Sequence, residues 1–176
     1  SLFEGSGATA FGLYTFTNPS GTLVINAGSG DNTVTVNAMD ANLTATVTVN
    51  GDAGADTIDA STFTTPLTIN GGDGNDIVTG GSGNDAINGN GDDDLLAGGP
   101  GSDTVDGGAG NDSPGGGDGN DTVIGGTGID TVFDSGDADF TLTDTQLTGT
   151  GGSGIDSLTS IELGVLTGGD GDNTLD

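Results

Sequence analysis

The sequence predicts an all-β solenoid, a chain wound into stacked coils. Three observations lead there. A nine-residue period runs from Gly71 to Phe133 seven times without a slip. An apolar residue returns at the eighth position of six of those repeats. A glycine-rich stretch of six residues separates each short apolar segment from the next. Units that repeat at a fixed short period cannot bury an apolar face alone, so they stack on their neighbours.

The repeats read GGDGNDIVT (71–79), GGSGNDAIN (80–88), GNGDDDLLA (89–97), GGPGSDTVD (98–106), GGAGNDSPG (107–115), GGDGNDTVI (116–124) and GGTGIDTVF (125–133). Position 6 is Asp throughout: Asp76, Asp85, Asp94, Asp103, Asp112, Asp121 and Asp130. Position 8 is Val78, Ile87, Leu96, Val105, Val123 and Val132, with Pro114 in the fifth repeat. Glycine permits positive φ and close backbone approach, so six residues can close a tight turn with carbonyls facing inward. The last three residues form a short strand whose middle side chain points to the core. Two nonapeptides make one flattened coil, and each turn then lies beside the turn two repeats on.

Composition sets the chemistry. Among 176 residues there are 27 carboxylates, all Asp but Glu4 and Glu162, and no Lys, Arg, His or Cys. A formal charge of -27 without an internal cation resists compaction. High net charge with modest hydrophobicity is the pattern of disorder, so a cation must enter for the chain to fold. Nucleic acid and anionic membrane are excluded as partners by sign. Hard oxygen ligands favour calcium ahead of magnesium. Without Cys there are no disulfides or thiolate sites. Without His or Lys, general-base and nucleophile chemistry lacks its usual groups, and no enzyme is predicted. Phe133-Asp134-Ser135-Gly136 imitates an aspartic-protease tripeptide but has no second copy. Gly149 to Gly154 fits a dinucleotide fingerprint only by letter, since no helix follows.

The run follows G-G-x-G-x-D-x-U-x, where U is apolar, and resembles the RTX (repeats-in-toxin) calcium-binding nonapeptide family. The resemblance implies a right-handed parallel β-roll. It also implies calcium held by the position-6 aspartates and by backbone carbonyls of the turns. Those carbonyls belong to Gly72, Gly74, Gly81, Gly83, Gly99, Gly101, Gly108, Gly110, Gly117, Gly119, Gly126 and Gly128. The resemblance further implies export by type I secretion, folding outside the cell, and an extracellular or cell-surface location. Five same-edge pairs among the seven turns, with partial sites at the ends, set an expectation of roughly five to eight ions.

The flanks extend the pattern. Ala27–Thr35, Gly51–Asp59, Gly151–Thr159 and Gly168–Asp176 keep an apolar position 8. Asp56 and Asp156 join the candidate ligands, whereas Asn32 and Asn173 should weaken their sites. Asp134–Leu142 reads as a degenerate eighth repeat, with Asp139 at position 6 but Thr141 in the core slot. Strands ending at Asn26, Asn50 and Asn70 lie 24 and then 20 residues apart, which predicts wider rungs leading into a tighter roll. Three regions follow: wider rungs with an aromatic cap over 1–70, the calcium roll over 71–133, and degenerate rungs over 134–176 continuing in a longer parent chain. Phe3, Phe11, Tyr14 and Phe16 supply the cap, or a docking surface. Opening on Ser1 reads as a processed product or a fragment. Pro114 should break the sheet locally, and the third repeat lacks glycine at Asn90 and Asp92.

Four functions fit to different degrees. The first is a calcium-dependent structural module of a large secreted adhesin, surface-layer or matrix protein. The second is a self-assembling filament subunit whose end coils stack. The third is the C-terminal part of a secreted hydrolase, as in RTX proteases and lipases. The fourth is ice binding, which needs regular ranks on the turns that positions 3 and 5 do not provide.

Overall fold

In the computed structural model the described residues are 2–4, 21–37, 45–136, 140–142, 146–149 and 155–168. Among them the regular elements are all strands. The larger sheet runs in the order β1 (Leu2–Glu4), β2 (Thr22–Asn26), β4 (Thr46–Ala53), β6 (Leu67–Asp73), β8 (Ala86–Gly91), β10 (Thr104–Ala109), β12 (Thr122–Thr127), β16 (Ile155–Thr159), β15 (Gln146–Gly149) and β14 (Phe140–Leu142). The facing sheet runs β3 (Thr33–Thr35), β5 (Thr57–Asp59), β7 (Ile77–Thr79), β9 (Leu95–Ala97) and β11 (Ser113–Gly115). β13 (Thr131–Gly136) and β17 (Leu163–Gly168) form a separate pair. From β2 to β12 even and odd strands thus alternate between two sheets with parallel pairing, which is the flattened coil that two nonapeptides predict.

The apolar eighth positions make the core. Ile87, Val105 and Val123 are in register in the larger sheet, continued by Ile69 on one side and Leu158 on the other. Val78 and Leu96 are in register in the facing sheet, preceded by Val34 and Ile58. All of these are buried. A side chain here has one neighbour 4.8 Å or so above and one below, so each coil is useful only when both neighbours are present.

Coil length tightens along the chain. Asn26, Asn50, Asn70 and Asn88 form an amide ladder, each Nδ2 donating to the Oδ1 before it at 2.6, 2.8 and 3.0 Å. Their separations are 24, 20 and 18 residues, and 18 then persists. The extra length of the 20-residue coil lies over residues 60–66. There Phe63 fills the interior at 1% exposure and Phe63 N donates to Ala60 O at 2.8 Å. Repetition gives no hint of that role, since Phe63 belongs to no repeat.

Pro114 ends the facing sheet, and the ladder shows why. Each position-7 N–H donates backward to a position-6 carbonyl, as from Leu95 to Asp76, Ser113 to Asp94 and Thr131 to Asp112. Strand N–H groups alternate in direction, so a position-8 N–H points forward to the next coil. At Pro114 that donor is missing, so β13 keeps the Thr131 bond back to Asp112 but has no registered pairing with β11, and it pairs in register with β17 on its other side. The supposed eighth repeat also departs from the roll. Residues 131–136 stay in one strand, and β14 turns antiparallel against β15, which is antiparallel to β16. A hairpin therefore lies on the C-terminal edge of the larger sheet. Asp139 lies outside the described residues, as do Phe11, Tyr14, Phe16 and 169–176.

Candidate metal-binding ladders

Every position-6 aspartate of the seven repeats is buried at 3% exposure or less, and so are Asp56 and Asp156. They stack in two columns, one along each edge of the roll. In the first column Oδ1 of Asp56 accepts from Asn32 N at 2.8 Å, that of Asp76 from Asp56 N at 2.7 Å, and that of Asp94 from Asp76 N at 2.8 Å. Asp112 then accepts from Asp94 N at 2.9 Å and Asp130 from Asp112 N at 2.8 Å. Glu162 closes this column, its Oε2 accepting from Asp130 N at 2.8 Å. In the second column Asp85 accepts from Leu67 N at 3.1 Å, Asp103 from Asp85 N at 2.7 Å, Asp121 from Asp103 N at 2.8 Å and Asp156 from Asp121 N at 3.1 Å.

One oxygen of each carboxylate is thereby used, and the other is the informative one. Oδ2 of Asp56, Asp76, Asp94, Asp103, Asp112, Asp121 and Asp130 is buried with no hydrogen-bond partner. Leaving a buried charged acceptor unpaired costs more than the ~1–3 kcal/mol of a neutral one. These oxygens do not face apolar packing. A Cβ built on the first glycine of a repeat would sit between that repeat's Oδ2 and a backbone carbonyl of the next coil. For Gly107 it would lie 2.5 Å from both Asp112 Oδ2 and Gly125 O. Carboxylate and carbonyl oxygens therefore converge on space that only glycine leaves open.

Asn32 shows what that convergence requires. It occupies position 6 of Ala27–Thr35, where its Nδ2 donates to Gly30 O and, at 3.4 Å, to Gly28 O. A side-chain donor thus meets the turn carbonyls of positions 2 and 4. The aspartates present an acceptor at the same position, so a cation is needed where the amide hydrogens lie. A hard, oxygen-seeking cation with about 6–8 oxygen ligands matches this donor set. Among the described residues no three acidic side chains gather in one cluster.

Electrostatics agree. Burial pushes the carboxyl of Asp76 up to about 6 and those of Asp94, Asp103 and Asp156 up to about 7, with like-charged neighbours in the column adding to it. Asp56, Asp85, Asp112 and Asp121 are raised for the same leading reason.

The predicted glycines divide. Gly72, Gly74, Gly99, Gly108, Gly110, Gly117, Gly119, Gly126 and Gly128 have positive φ; Gly81, Gly83 and Gly101 do not. Gly81 and Gly83 stack on Phe63 and on Thr65 and Pro66 of the wide coil rather than on a glycine turn. Asp85 beside them is also distinct, because Gly81 N donates to its Oδ2 at 2.8 Å. In the third repeat, Asn90 (φ 84°) and Asp92 (φ 70°) adopt the conformation glycine has elsewhere. Asn and Asp are the side chains that tolerate it best.

Two features lie beyond the repeat pattern. Glu162 and Asp156 join the columns 32 and 35 residues after their partners, outside the 18-residue step. Position-5 side chains form an outer clasp running the other way. Asp93 accepts from Asn111 N at 2.7 Å, Asn111 from Ile129 N at 3.0 Å, Asn84 from Ser102 N at 3.2 Å and Asn120 from Ile155 N at 2.9 Å. The recurrence of Asn and Asp at position 5 is the signal that could have revealed it.

Comparison with curated proteins and with solved structures gives no match. A family model for the RTX calcium-binding nonapeptide repeat matches four times, over residues 47–62, 68–96, 79–114 and 115–144. Together these matches span more than half of the chain, and they include both columns from Asp56 to Asp130. The repeats of this family bind calcium, and the chain belongs to the RTX calcium-binding nonapeptide repeat family.

Proposed function

We propose that the chain is a calcium-dependent structural module of a large secreted or cell-surface protein of the adhesin, surface-layer or matrix type. Seven buried carboxylate oxygens without partners, in a chain with no cationic side chain, carry this reading. In this reading Asp56, Asp76, Asp94, Asp103, Asp112, Asp121 and Asp130 hold the ions, with turn carbonyls of the adjoining coils. Asp85 and Asp156 contribute at the ends of the second column, and roughly five to eight ions bind in all. Where calcium is scarce the chain stays unfolded and can be exported. Outside, calcium binding becomes folding free energy.

The module is not an enzyme in this reading, since the chain brings no His, Lys or Cys to activate a nucleophile. A hydrolase or other activity would belong to a neighbouring domain. Circular dichroism in chelator and in millimolar calcium tests the proposal. Strand signal that appears only with calcium is expected, and full signal in chelator at neutral pH would defeat it.

A further inference from the structure

We infer that Asn90–Gly91 is a self-modifying site, at which the folded module converts an amide into a carboxylate by deamidation. Asn is followed by Gly at four places: Asn50–Gly51, Asn70–Gly71, Asn88–Gly89 and Asn90–Gly91. This pairing is the one most open to the reaction, because glycine has no Cβ to hinder its backbone nitrogen. The glycine nitrogen bonds to the asparagine Cγ. The side-chain nitrogen leaves as ammonia, taking the proton that the backbone nitrogen gives up. Water then opens the succinimide ring to aspartate or isoaspartate.

The fold separates the four pairs. Asn50, Asn70 and Asn88 belong to the amide ladder, each donating its Nδ2 to the asparagine of the coil before it. Cyclisation would have to break those bonds. It would also have to fold the side chain back over its own backbone, whereas strand side chains stand away from it. The glycines that follow are buried. A Cβ on Gly51, Gly71 or Gly89 would meet Oδ2 of Asp56, Asp76 or Asp94 and a carbonyl of the next coil. The architecture thus imposes these three labile pairs, a ladder amide followed by a turn glycine, and also holds them shut.

Asn90 has neither restraint. It is exposed, and its neighbours in register are Gly72 and Gly108, which carry no side chain to tie its amide. That amide donates at 3.3 Å to Asn88 O within the same strand. A Cβ added to Gly91 would meet Asp73 Oδ1 at 3.9 Å, an ordinary contact. The glycine that makes Asn90 labile is therefore one that the coils can do without. The product fits as well. Asp52, two coils earlier in the same register, already holds an aspartate at φ 78°, close to the 84° of Asn90. In the ladder the same reaction would be disruptive. At Asn70 it would remove the donor to Asn50, and at Asn88 it would set a carboxylate beside Asp106.

The inference rests on the folded roll, whatever cation folds it, so the test reports folding separately. The whole chain is incubated at mildly alkaline pH, and tandem mass spectrometry of thermolysin peptides follows each asparagine. Far-UV circular dichroism is recorded on the same samples. In millimolar calcium Asn90 should convert at least about tenfold faster than Asn50, Asn70 or Asn88. In urea with chelator the four rates should agree within about threefold. Gly91→Ala should slow Asn90 at least about tenfold and keep the strand signal. A folded chain in which Asn90 converts no faster than the ladder asparagines overturns the inference. So does a folded Gly91→Ala variant that converts at the original rate. Strand signal and Asn90 selectivity that both persist in chelator alone would defeat the calcium reading and uphold this one. Absence of strand signal in calcium defeats the calcium reading and the shielding with it.

Discussion

Position 6 performs two tasks with two oxygens, and substitutions can separate them. Asp112→Asn keeps an acceptor for Asp94 N but removes the charge from the partnerless oxygen. Its folded form should persist at saturating calcium, with a titration midpoint raised on the order of tenfold or more. Asp112→Ala loses the ladder bond as well and should also lower the melting temperature at saturation. Conversely, Asn32→Asp exchanges the amide that ties Gly28 and Gly30 for a carboxylate. Isothermal titration calorimetry should then count one further ion. Asn32 was legible as a departure, yet its use as an internal substitute for a cation was not. A sequence shows which residue replaces Asp but not where its amide hydrogens point.

The same carboxylates set a pH dependence. Their folded-state values lie above those of an unfolded chain, at about 6 for Asp76 and about 7 for Asp94, Asp103 and Asp156. Protonation therefore favours the folded form. That contribution is complete below the ordinary Asp range near 4 and is lost as pH rises toward 7. In chelator, circular dichroism should show more strand near pH 5 than at pH 8. Equal signals at both would contradict the assignment of burial as the cause.

Strands and turns were the most readable level, because a period of nine fixes both. Position 8 gave the core from Val78 to Val132 directly, and all these residues are buried. Truncating Leu96 to Ala in the calcium form should cost about 2–5 kcal/mol, measured by thermal or denaturant unfolding. The turn at Gly126 has φ 109° and lies against Gly108 O, so Gly126→Ala should be strongly destabilising although it adds a single methyl. Pro114 was expected to interrupt a ladder, but which bonds survive there depends on donor direction, and the next pairing, of β13 with β17, depends on residues far ahead in sequence. Pro114→Val supplies the missing forward N–H and should raise stability by roughly 1 kcal/mol. The hairpin of β14 and β15 was missed for a related reason. Asp134–Leu142 keeps enough of the repeat to look like a worn coil, while its pairing is decided by partners at 146–149.

At the level of the whole molecule the two acidic columns make folding collective. Each aspartate orders the backbone of the coil before it, so no coil closes alone, and on the proposed reading the charge is tolerated only with cations in place. The wide N-terminal coils are filled by Phe63 and laced by asparagine amides. Calcium titration of the chain by small-angle X-ray scattering with circular dichroism tests this most directly. At neutral pH in chelator the radius of gyration should be near the ~45 Å of an unfolded chain of this length. Calcium should bring it to less than half of that in one cooperative step, with parallel-strand signal rising at the same midpoint. A chain already compact and strand-rich in chelator would contradict the claim that these buried carboxylates need a cation to fold.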